Sequence, residues 1–321
     1  MNRLLVVALA VFASVVGACA QQSMQRMSPP STKEYSDLRD KLHDIGFGIS
    51  AEIGVAFFDS RAMVDYSDSE QYPLLSVMKF HQALAVCDEL EKTGRTLDDS
   101  IAVSRKDLRK DTWSPMRDKY PKGGRFTIEE LLWYSLVQSD NNACDILFDK
   151  VTSVEKTQAF VDSVLTKDRH YVVDSVLTRG CHIAVDEKTM GGDVMRCYEN
   201  WTDNYATIIL MDWFYKKSEK PLYSNVWQMM AKCETGSNRI PRYLGDDVVV
   251  VHKTGTGPVV DGKIIAVNDI AYILLPDGQC FFLTVFMRDA RIVRCPMEKC
   301  EETIAQIAKL CMDFVKENSH K

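Results

Sequence analysis

The sequence predicts a mixed α/β (α+β) fold: an antiparallel sheet built from both chain ends and flanked by terminal helices, with an all-helical domain inserted between its two halves. Three observations support this prediction. Apolar runs typical of strands occur early in the chain and again after Gly245, helical patterns lie at both chain ends, and residues 95–230 show helical patterns but no run of strands. A cleft between the sheet and the helical block is then the natural place for a site.

The first part of the chain predicts a helix followed by a hairpin. Apolar residues recur with helical spacing over residues 33–45, and two nearby glycines end this pattern. Residues 53–58 (IGVAFF) form a compact apolar run, and residues 61–66 predict a second strand after a turn at Asp59.

The inserted block predicts a series of helices. Residues 76–92 predict a helix that Gly94 closes. Thr127, with Glu130 three positions later, predicts an N-cap and a capping box at the start of another helix. Further helical patterns cover residues 143–151, 154–165, 205–215 and 222–232. Between them lies a long irregular segment, residues 169–203, and a loop of that length inside a compact domain is usually functional or disordered.

After Gly245 the pattern changes to strands, which we predict over residues 248–251, 266–275 and 280–288. The last two are joined by the turn tripeptide PDG. The final helical pattern, residues 301–316, carries apolar residues along one side and therefore predicts an amphipathic helix.

These patterns predict the domain boundaries: a signal peptide (1–20), a flexible tether (21–32), an α/β domain (33–72 and 233–321) and an all-helical domain (73–232) that includes the long segment.

Residues 1–20 have the pattern of an export signal. Arg3 gives a positive start, and the apolar run over residues 4–17 is too short to span a bilayer. Two versions of the cleavage stay open: a cut after Ala20 releases a soluble protein, whereas a lipobox ending at Cys19 leaves a lipid-anchored one. No other apolar run is long enough for a membrane span. We therefore expect a periplasmic or otherwise exported protein.

Charge and histidine content exclude some partners. The net charge of −6 and the absence of a basic stripe argue against a nucleic-acid partner. The six histidines form no H-x-H or H-E-x-x-H pair, so the sequence predicts no metal and no cofactor. We expect a monomer that acts on a small molecule.

The cysteines predict core residues more than a disulfide framework. Of ten cysteines, nine remain as thiols once Cys19 is cut off or lipidated, so at least one stays unpaired within the monomer. Cys87, Cys144 and Cys311 lie in apolar helical patterns and predict small core residues. Cys295 and Cys300 are close in sequence and can form a local disulfide bond.

Ser76 and Lys79 form an S-x-x-K arrangement on a predicted helix. Three residues are about one helical turn, so both side chains share a face. A serine hydroxyl needs a base beside it to act as a nucleophile near neutral pH, and a lysine with a lowered pKa can be that base. Alone this pair is weak evidence, because a solvated helix face explains most such pairs.

Two further motifs strengthen the evidence. Ser139-Asp140-Asn141 follows a predicted helix, and Lys253-Thr254-Gly255 follows the predicted strand of four valines. The order S-x-x-K, S-D-N, K-T-G is the set found in class A β-lactamases and penicillin-binding proteins. The chain therefore resembles the class A serine β-lactamases over nearly its whole mature length, and the resemblance implies the β-lactamase/transpeptidase-like fold.

Other details fit that class better than the transpeptidases. They are S-D-N itself, the aromatic-Ser-Pro tripeptide that begins at Trp113, and Arg239, which lies fourteen positions before Lys253. The stretches KCETGSNRI and HKTGTG are similar to those of an extended-spectrum, cephalosporin-hydrolysing branch. For Arg239 a salt bridge that holds a helix end is the alternative, and for Trp113 a place in the core.

The resemblance implies a serine acyl-enzyme mechanism with the following residues. The catalytic set is Ser76, Lys79, Ser139, Glu187 and Lys253. The substrate-binding set is Asn141, Thr254, Gly255, Thr256, Arg239 and Trp113. The backbone N–H groups of Ser76 and Thr256 would hold the oxyanion, and the substrates would be cephalosporins and penicillins, whose hydrolysis gives antibiotic resistance.

Glu187 is placed by counting back from the tripeptide at residues 200–202 to the family's Ω-loop glutamate. The family often has an asparagine four residues later, where this chain has Gly191. A slip in this alignment would bring in Asp186 or Glu199 instead.

Two other functions stay open. A D-Ala-D-Ala carboxypeptidase or transpeptidase of the penicillin-binding class would share the serine and both lysines but keep a long-lived acyl-enzyme, so Glu187 is the discriminating residue. A non-hydrolysing β-lactam sensor is the second, although sensors normally carry transmembrane helices and a signalling domain, which this sequence does not show.

Overall fold

The computed structural model describes residues 32–318 apart from Ser60, Asp68, Glu70 and residues 168–179. The predicted signal peptide with Cys19, most of the tether and the first part of the long segment lie outside the described residues.

The strands among the described residues are β1 (Glu52–Phe58), β2 (Met63–Ser67), β3 (Tyr72–Pro73), β4 (Ser100–Ser104), β5 (Gly123–Thr127), β6 (Cys181–His182), β7 (Trp201–Thr202), β8 (Val249–Thr256), β9 (Val259–Val260), β10 (Lys263–Leu274) and β11 (Cys280–Arg291). The α-helices are α1 (Lys33–Phe47), α2 (Met78–Thr93), α3 (Pro115–Lys119), α4 (Ile128–Val137), α5 (Asn141–Lys150), α6 (Val154–Lys167), α7 (Glu187–Gly192), α8 (Asn204–Lys217), α9 (Pro221–Met230) and α10 (Met297–Glu317).

The main sheet has the strand order β2-β1-β11-β10-β8, with β9 beside β10, and all these neighbours are antiparallel. Because β1 and β2 come from the start of the chain and β8 to β11 from its end, the predicted fold class is confirmed. The exact boundaries between the two predicted domains stay a prediction.

Strand β1 explains the unbroken apolar run near the start of the chain. Val55 and Phe57 pack into a core with the terminal helices α1 and α10. The alternate residues Ala56 and Phe58 pack into a second core that includes the helical block. A strand covered on both faces reads as a continuous apolar run instead of an alternating one.

Helix α2 is the centre of the helical block and packs against α4, α5, α6 and α9. Most of its residues are buried, among them Phe80 and Leu84, and each such side chain contributes about 1.5–3 kcal/mol by leaving water. Gly94 ends the helix with a φ of 68°, a left-handed conformation that suits glycine. The capping box of Thr127 and Glu130 at the start of α4 is confirmed.

The expectation that residues 95–230 carry helices and no run of strands is wrong in part. Strands β4 and β5 pair antiparallel, although α3 lies between them in the chain, and β6 and β7 join β3 in a small three-stranded sheet. The sequence of β5, GGRFT, has too few apolar residues to show a period of two, and two-residue strands are too short to show any period. Strand β8 also continues through Lys253 and Gly255 to Thr256, because these residues pair with β10.

The described cysteines fit the prediction of core thiols. Cys87, Cys144 and Cys311 are fully buried and unpaired. The sulfur atoms of Cys295 and Cys300 lie 3.2 Å apart as thiols, so a local bridge between them stays a prediction. In the described part of the chain, none of the helices combines the length and the apolar character that crossing a bilayer requires.

Candidate active site

Ser76 lies in a single 3-10 turn, Leu75–Val77, that leads directly into α2. The residue before it, Leu75, has a φ of 49°, and such a left-handed backbone is uncommon for a β- or γ-branched side chain outside sites that need it. Lys79 follows one turn later, and its Nζ lies 2.8 Å from Ser76 Oγ. The shared face that the sequence predicts for this pair is present.

Lys79 is fully buried and is the point where the motifs meet. Its Nζ donates to Asn141 Oδ1 at 2.6 Å and to the backbone carbonyl of Ser139 at 3.0 Å. It also lies 2.9 Å from Glu187 Oε1. One ammonium group therefore contacts the nucleophile, the S-D-N turn and the long segment.

The S-D-N turn is fixed by its aspartate. Asp140 caps α5 by accepting from the backbone N–H of Ala143 at 2.8 Å. It also accepts from Ser114 Oγ at 2.9 Å and from the backbone N–H of Met116 at 2.8 Å. Burial raises the pKa of this carboxyl, although the N–H donors oppose that effect. Ser139 has a φ of 56°, so the anchored neighbour holds it in a strained conformation.

Lys253 reaches the same turn from β8. Its Nζ donates to Ser139 Oγ and to the backbone carbonyl of Thr254, both at 3.0 Å. Burial lowers the pKa of Lys253 to about 8, and the nearby charge of Lys79 acts in the same direction. The hydroxyl of Thr254 is buried and pairs with that of Thr235 at 2.6 Å.

Gly255 lets β8 pass against the nucleophile turn. A Cβ at this position would lie 2.5 Å from the backbone oxygen of Leu74, two residues before Ser76. Asn268 on β10 also holds this turn, because its Nδ2 donates to the carbonyls of Pro73 at 2.7 Å and Leu74 at 3.2 Å. Gly255, which has no side chain, therefore allows β8 to approach the turn of Ser76 this closely.

Arg239 is buried against the end of β8. Its guanidinium donates to Thr256 Oγ1 at 2.7 Å and to the carbonyl of Gly255 at 3.2 Å. It also pairs with Glu301 of α10 at 3.2 Å. The structure thus combines the two alternatives, a salt bridge to a helix and a place beside a predicted substrate-binding residue.

Trp113 is 62% exposed, which excludes the alternative that it belongs to the core. Its indole N–H donates to the carbonyl of Gln138 at 2.9 Å, and its own carbonyl accepts from the backbone N–H of Asn141 at 3.1 Å. Trp113 therefore lies exposed beside the S-D-N turn, and its role at the rim of the cleft stays a prediction.

Glu187 is the first residue of α7, and it is buried with Oε1 3.4 Å from Ser76 Oγ. The two carboxylates that an alignment slip would bring in have other contacts. Asp186 caps α7, and Glu199 pairs with Arg196 at 2.8 Å. The geometry thus brings Glu187 to the nucleophile.

Asn200 holds the segment that carries Glu187, a role that sequence analysis missed. Its side-chain oxygen accepts from the backbone N–H groups of Ala184 at 2.7 Å and Val185 at 3.0 Å. Its Nδ2 donates to the carbonyl of Val185 at 2.8 Å, and its own carbonyl accepts from Leu74 N at 2.9 Å. One residue thus links the segment to the turn of Ser76.

Asp145 and Arg109 were also missed. Asp145 lies one turn after Asn141 on α5, and its Oδ1 accepts from the backbone N–H of Lys188 at 3.1 Å. Its Oδ2 accepts from Arg109 Nε at 3.2 Å. A Cβ added at Gly191 would lie 2.9 Å from Arg109 Nη1. The spacing of Asn141 and Asp145 on one helix face was the available signal.

His252 supports the strand behind Lys253. Its Nδ1 lies 3.0 Å from Asp269 Oδ1. Burial disfavours protonation, but the Asp269 carboxylate outweighs burial and raises the pKa of His252 to about 10. Burial would also raise the pKa of the neighbouring Cys233 thiol, yet the imidazolium lowers it to about 7. Across the described ranges, no group of three or more His, Cys, Asp or Glu side chains is arranged to hold a metal ion.

Comparisons with known proteins agree with this geometry. Residues 37–315 match the family described as "Beta-lactamase enzyme family". β-Lactamase VEB-1 of Pseudomonas aeruginosa is 31% identical over 98% of this chain and 97% of that protein. Extended-spectrum β-lactamase PER-1 of the same organism is 30% identical over 86% of this chain and 87% of that protein.

Solved structures give the same result. The TLA-1 extended-spectrum β-lactamase covers 88% of this chain and 99% of its own, with 32% identity and a TM-score of 0.80. A class A β-lactamase from Bacteroides cellulosilyticus covers 90% of this chain and 100% of its own, with 28% identity and a TM-score of 0.79. These findings confirm the resemblance inferred from the motifs: the chain belongs to the β-lactamase enzyme family, among its class A members.

Proposed function

We propose that this enzyme opens the β-lactam ring through an acyl-enzyme on Ser76, which a water activated by Glu187 then hydrolyses, and that it thereby gives antibiotic resistance. Hydrolysis of β-lactams follows from membership of the family, whereas the residues and their roles are our proposal. The observation that carries it is the position of Lys79 Nζ, 2.8 Å from Ser76 Oγ and 2.9 Å from Glu187 Oε1.

Acylation begins with proton transfer from Ser76. Lys79 Nζ has four oxygens within about 3 Å, on Ser76, Ser139, Asn141 and Glu187. An ammonium group has only three protons to donate. If Glu187 takes one of them, the amine lone pair faces Ser76 and can accept the hydroxyl proton as the oxygen attacks the lactam carbonyl. The resulting tetrahedral oxyanion is held by the backbone N–H groups of Ser76 and Thr256.

The lactam nitrogen leaves with a proton supplied through Ser139. Its hydroxyl lies 3.0 Å from Lys253 Nζ and 3.5 Å from Lys79 Nζ, so it can pass a proton to the nitrogen and regain one from either lysine. The C–N bond breaks as the Ser76 ester forms.

The substrate carboxylate binds at the end of β8. Lys253 and Arg239 supply positive charge there, and Thr256 supplies a hydroxyl that already contacts the guanidinium at 2.7 Å. Lys253 is fully buried beside Ser139, so its positive charge lies close to where an anionic substrate would bind. The remaining proposed substrate contacts are Asn141, Thr254, Gly255 and Trp113.

Deacylation depends on Glu187. Glu187 first returns to Lys79 the proton that it took for acylation, because Lys79 has passed the serine proton through Ser139 to the lactam nitrogen. The Glu187 carboxylate then takes a proton from water as the oxygen attacks the ester carbonyl, and this proton returns to Ser76 Oγ when the ester C–O bond breaks. The burial of Glu187 beside the serine supports this role, since a base must lie within reach of the reacting atoms, directly or through one water.

The alternative of a D-Ala-D-Ala carboxypeptidase or transpeptidase is not favoured, because Glu187 lies at the nucleophile. The discriminating experiment mixes purified protein with an excess of a chromogenic cephalosporin. We expect many turnovers per enzyme and only a transient acyl-enzyme. One equivalent of product with a stable adduct would instead establish a penicillin-binding reaction and overturn the proposal.

The location of the protein is part of the same proposal. Family members are generally exported, and we propose export of this chain, either soluble after cleavage behind Ala20 or lipid-anchored through Cys19. Cell fractionation of the wild type and of Cys19→Ser separates the two versions, because only a lipid anchor makes the wild type sediment with membranes and the variant stay soluble. We also propose a monomer, to be measured by light scattering after size exclusion.

A further inference from the structure

Helix α7 begins with Glu187 and is only six residues long, so its own hydrogen bonds hold it weakly. The first backbone N–H groups of a helix have no partner within the helix. Asp186 supplies one acceptor by capping the backbone N–H of Thr189 at 2.9 Å. Asp145, from the separate helix α5, supplies another by accepting from Lys188 N at 3.1 Å. The position of the Glu187 backbone therefore depends on Asp145.

Asp145 is in turn held by Arg109. Nε of the guanidinium donates to Asp145 Oδ2 at 3.2 Å, and Nη2 lies 3.1 Å from the same oxygen. Burial raises the pKa of Asp145 to about 7, and the charge of Arg109 opposes that rise. Without the guanidinium, burial would favour a protonated carboxyl, which is a weaker acceptor for Lys188 N–H.

The Arg109 guanidinium also lies against the other end of α7. Its Nη1 would be 2.9 Å from a Cβ added at Gly191, so any side chain there has to displace it. Its Nη2 is buried and makes no directed hydrogen bond with a described residue. The arginine backbone cannot readily retreat, because its N–H donates to Asn142 Oδ1 and its carbonyl accepts from Asn142 Nδ2, both at 3.0 Å.

We infer that Arg109 is a positioning residue for deacylation: it holds Asp145 against the first turn of α7, and it takes the space beside Gly191 that a side chain would otherwise fill. This role of Arg109 rests on the proposed role of Glu187 and goes beyond it, because the Arg109 guanidinium supports α7 where position 191 has no side chain to do so. Arg109 acts through Asp145 and the helix, not on the substrate.

The first test separates acylation from deacylation. Arg109→Ala should lower kcat roughly 10- to 100-fold, the range that a displacement of about 1 Å costs, and the acyl-enzyme should accumulate by intact mass. The value of kcat/KM reports only the steps up to and including acylation, so it should change little. Arg242→Ala is the control, because Arg242 pairs with Glu302 on the surface and should leave both constants unchanged.

The second test uses epistasis at Gly191. In the wild-type background Gly191→Ala should lower kcat, because the new Cβ pushes the guanidinium off Asp145. In the Arg109→Ala background the same change should have no cost. If Arg109→Ala does not fold, Arg109→Lys serves instead. A lysine offers Asp145 one nitrogen where arginine offers two, so deacylation should slow. A lysine also has no atom in the place of Nη1, so Gly191→Ala should be neutral in this background.

Two results would overturn the inference: kcat and kcat/KM falling together without an adduct, or an equal cost of Gly191→Ala in both backgrounds. Glu187→Gln distinguishes this failure from failure of the proposed function. If Glu187→Gln traps the acyl-enzyme but the arginine variants do not, only the role of Arg109 is wrong. If Glu187→Gln turns over normally, the proposed role of Glu187 fails first.

Discussion

The residues proposed for acylation and the residue proposed for deacylation are held in different ways. Ser76 and Lys79 lie at the start of a long buried helix, and Lys253 lies on a strand of the main sheet. Glu187 instead lies on a six-residue helix that side chains from other elements fix at both ends. Regular structure thus positions the nucleophile, whereas individual side-chain contacts position the base. We therefore expect substitutions away from the site to affect deacylation more readily than acylation.

The largest effect should come from Ser76→Ala, which removes both half-reactions. We expect kcat to fall by about 10⁴-fold or more, since loss of a nucleophile leaves only binding and oxyanion stabilisation. Covalent labelling by a β-lactam should disappear in intact-mass spectra. A labelled Ser76→Ala protein would show that another residue is the nucleophile.

Gly255→Ala should damage the acylation side selectively. Its Cβ would lie 2.5 Å from the carbonyl oxygen of Leu74, so β8 or the nucleophile turn has to move, at a cost of about 1–3 kcal/mol in the free energy of unfolding. We expect kcat/KM to fall with no acyl-enzyme accumulating. Gly48→Ala is the control, because its Cβ would meet other atoms only at 3.5 Å or more. An adduct that accumulates in Gly255→Ala would contradict the comparison.

Asn200→Ala should damage the deacylation side. The change leaves the backbone N–H groups of Ala184 and Val185 without their acceptor, at about 1–3 kcal/mol of stability for buried groups. We expect kcat to fall more than kcat/KM, with an adduct visible by mass. Asn225→Ala is the control and should leave the kinetics unchanged, because the Asn225 side chain donates to the carbonyl of Pro221 within α9. Equal losses in both constants would show that Asn200 supports the whole site.

The smallest effect should be a pH dependence of substrate capture. Lys253 has a pKa lowered to about 8 by burial, so it is charged below that pH and neutral above it. For substrates with a carboxylate, kcat/KM should therefore decline above about pH 8, because it reports the ionisation of the free enzyme. An ester analogue without the carboxylate should lack this decline. A flat profile to pH 10 for the acid would exclude Lys253 as the anion partner.

The part of the site that the sequence predicts well is the part built on local spacing. S-x-x-K fixes two side chains on one helical turn, and the context of each tripeptide identifies the turn or strand that carries it. The antiparallel sheet was predictable for a similar reason, because residues 53–58 and 248–251 are continuous apolar runs. Residues 53–58 are covered on both faces, whereas Val249 at the start of β8 is 43% exposed.

What the sequence did not predict depends on long-range contacts. Asp145 meets Lys188 across 43 positions and Arg109 across 36. The spacing of Asn141 and Asp145 indicates that Asp145 lies on the same helix face as Asn141, but it identifies neither of these partners. Strands β5, β6 and β7 were missed because pairing partners, not an apolar period, define them. Strand β4 does alternate, with Ile101 and Val103 buried, but the period covers only five residues. Gly191 was visible as a departure from the family pattern, but its neighbour Arg109 became apparent only in three dimensions.

The most direct test of the whole account is the fate of the acyl-enzyme in Glu187→Gln. The purified variant is mixed with a cephalosporin and followed by intact mass and by product release. We expect one equivalent of drug to add to a peptide containing Ser76 and to persist, with turnover reduced by about 10²–10⁴-fold, as loss of a general base implies. Turnover at the wild-type rate with no persistent adduct would contradict the account, because Glu187 would then not be the residue that drives deacylation.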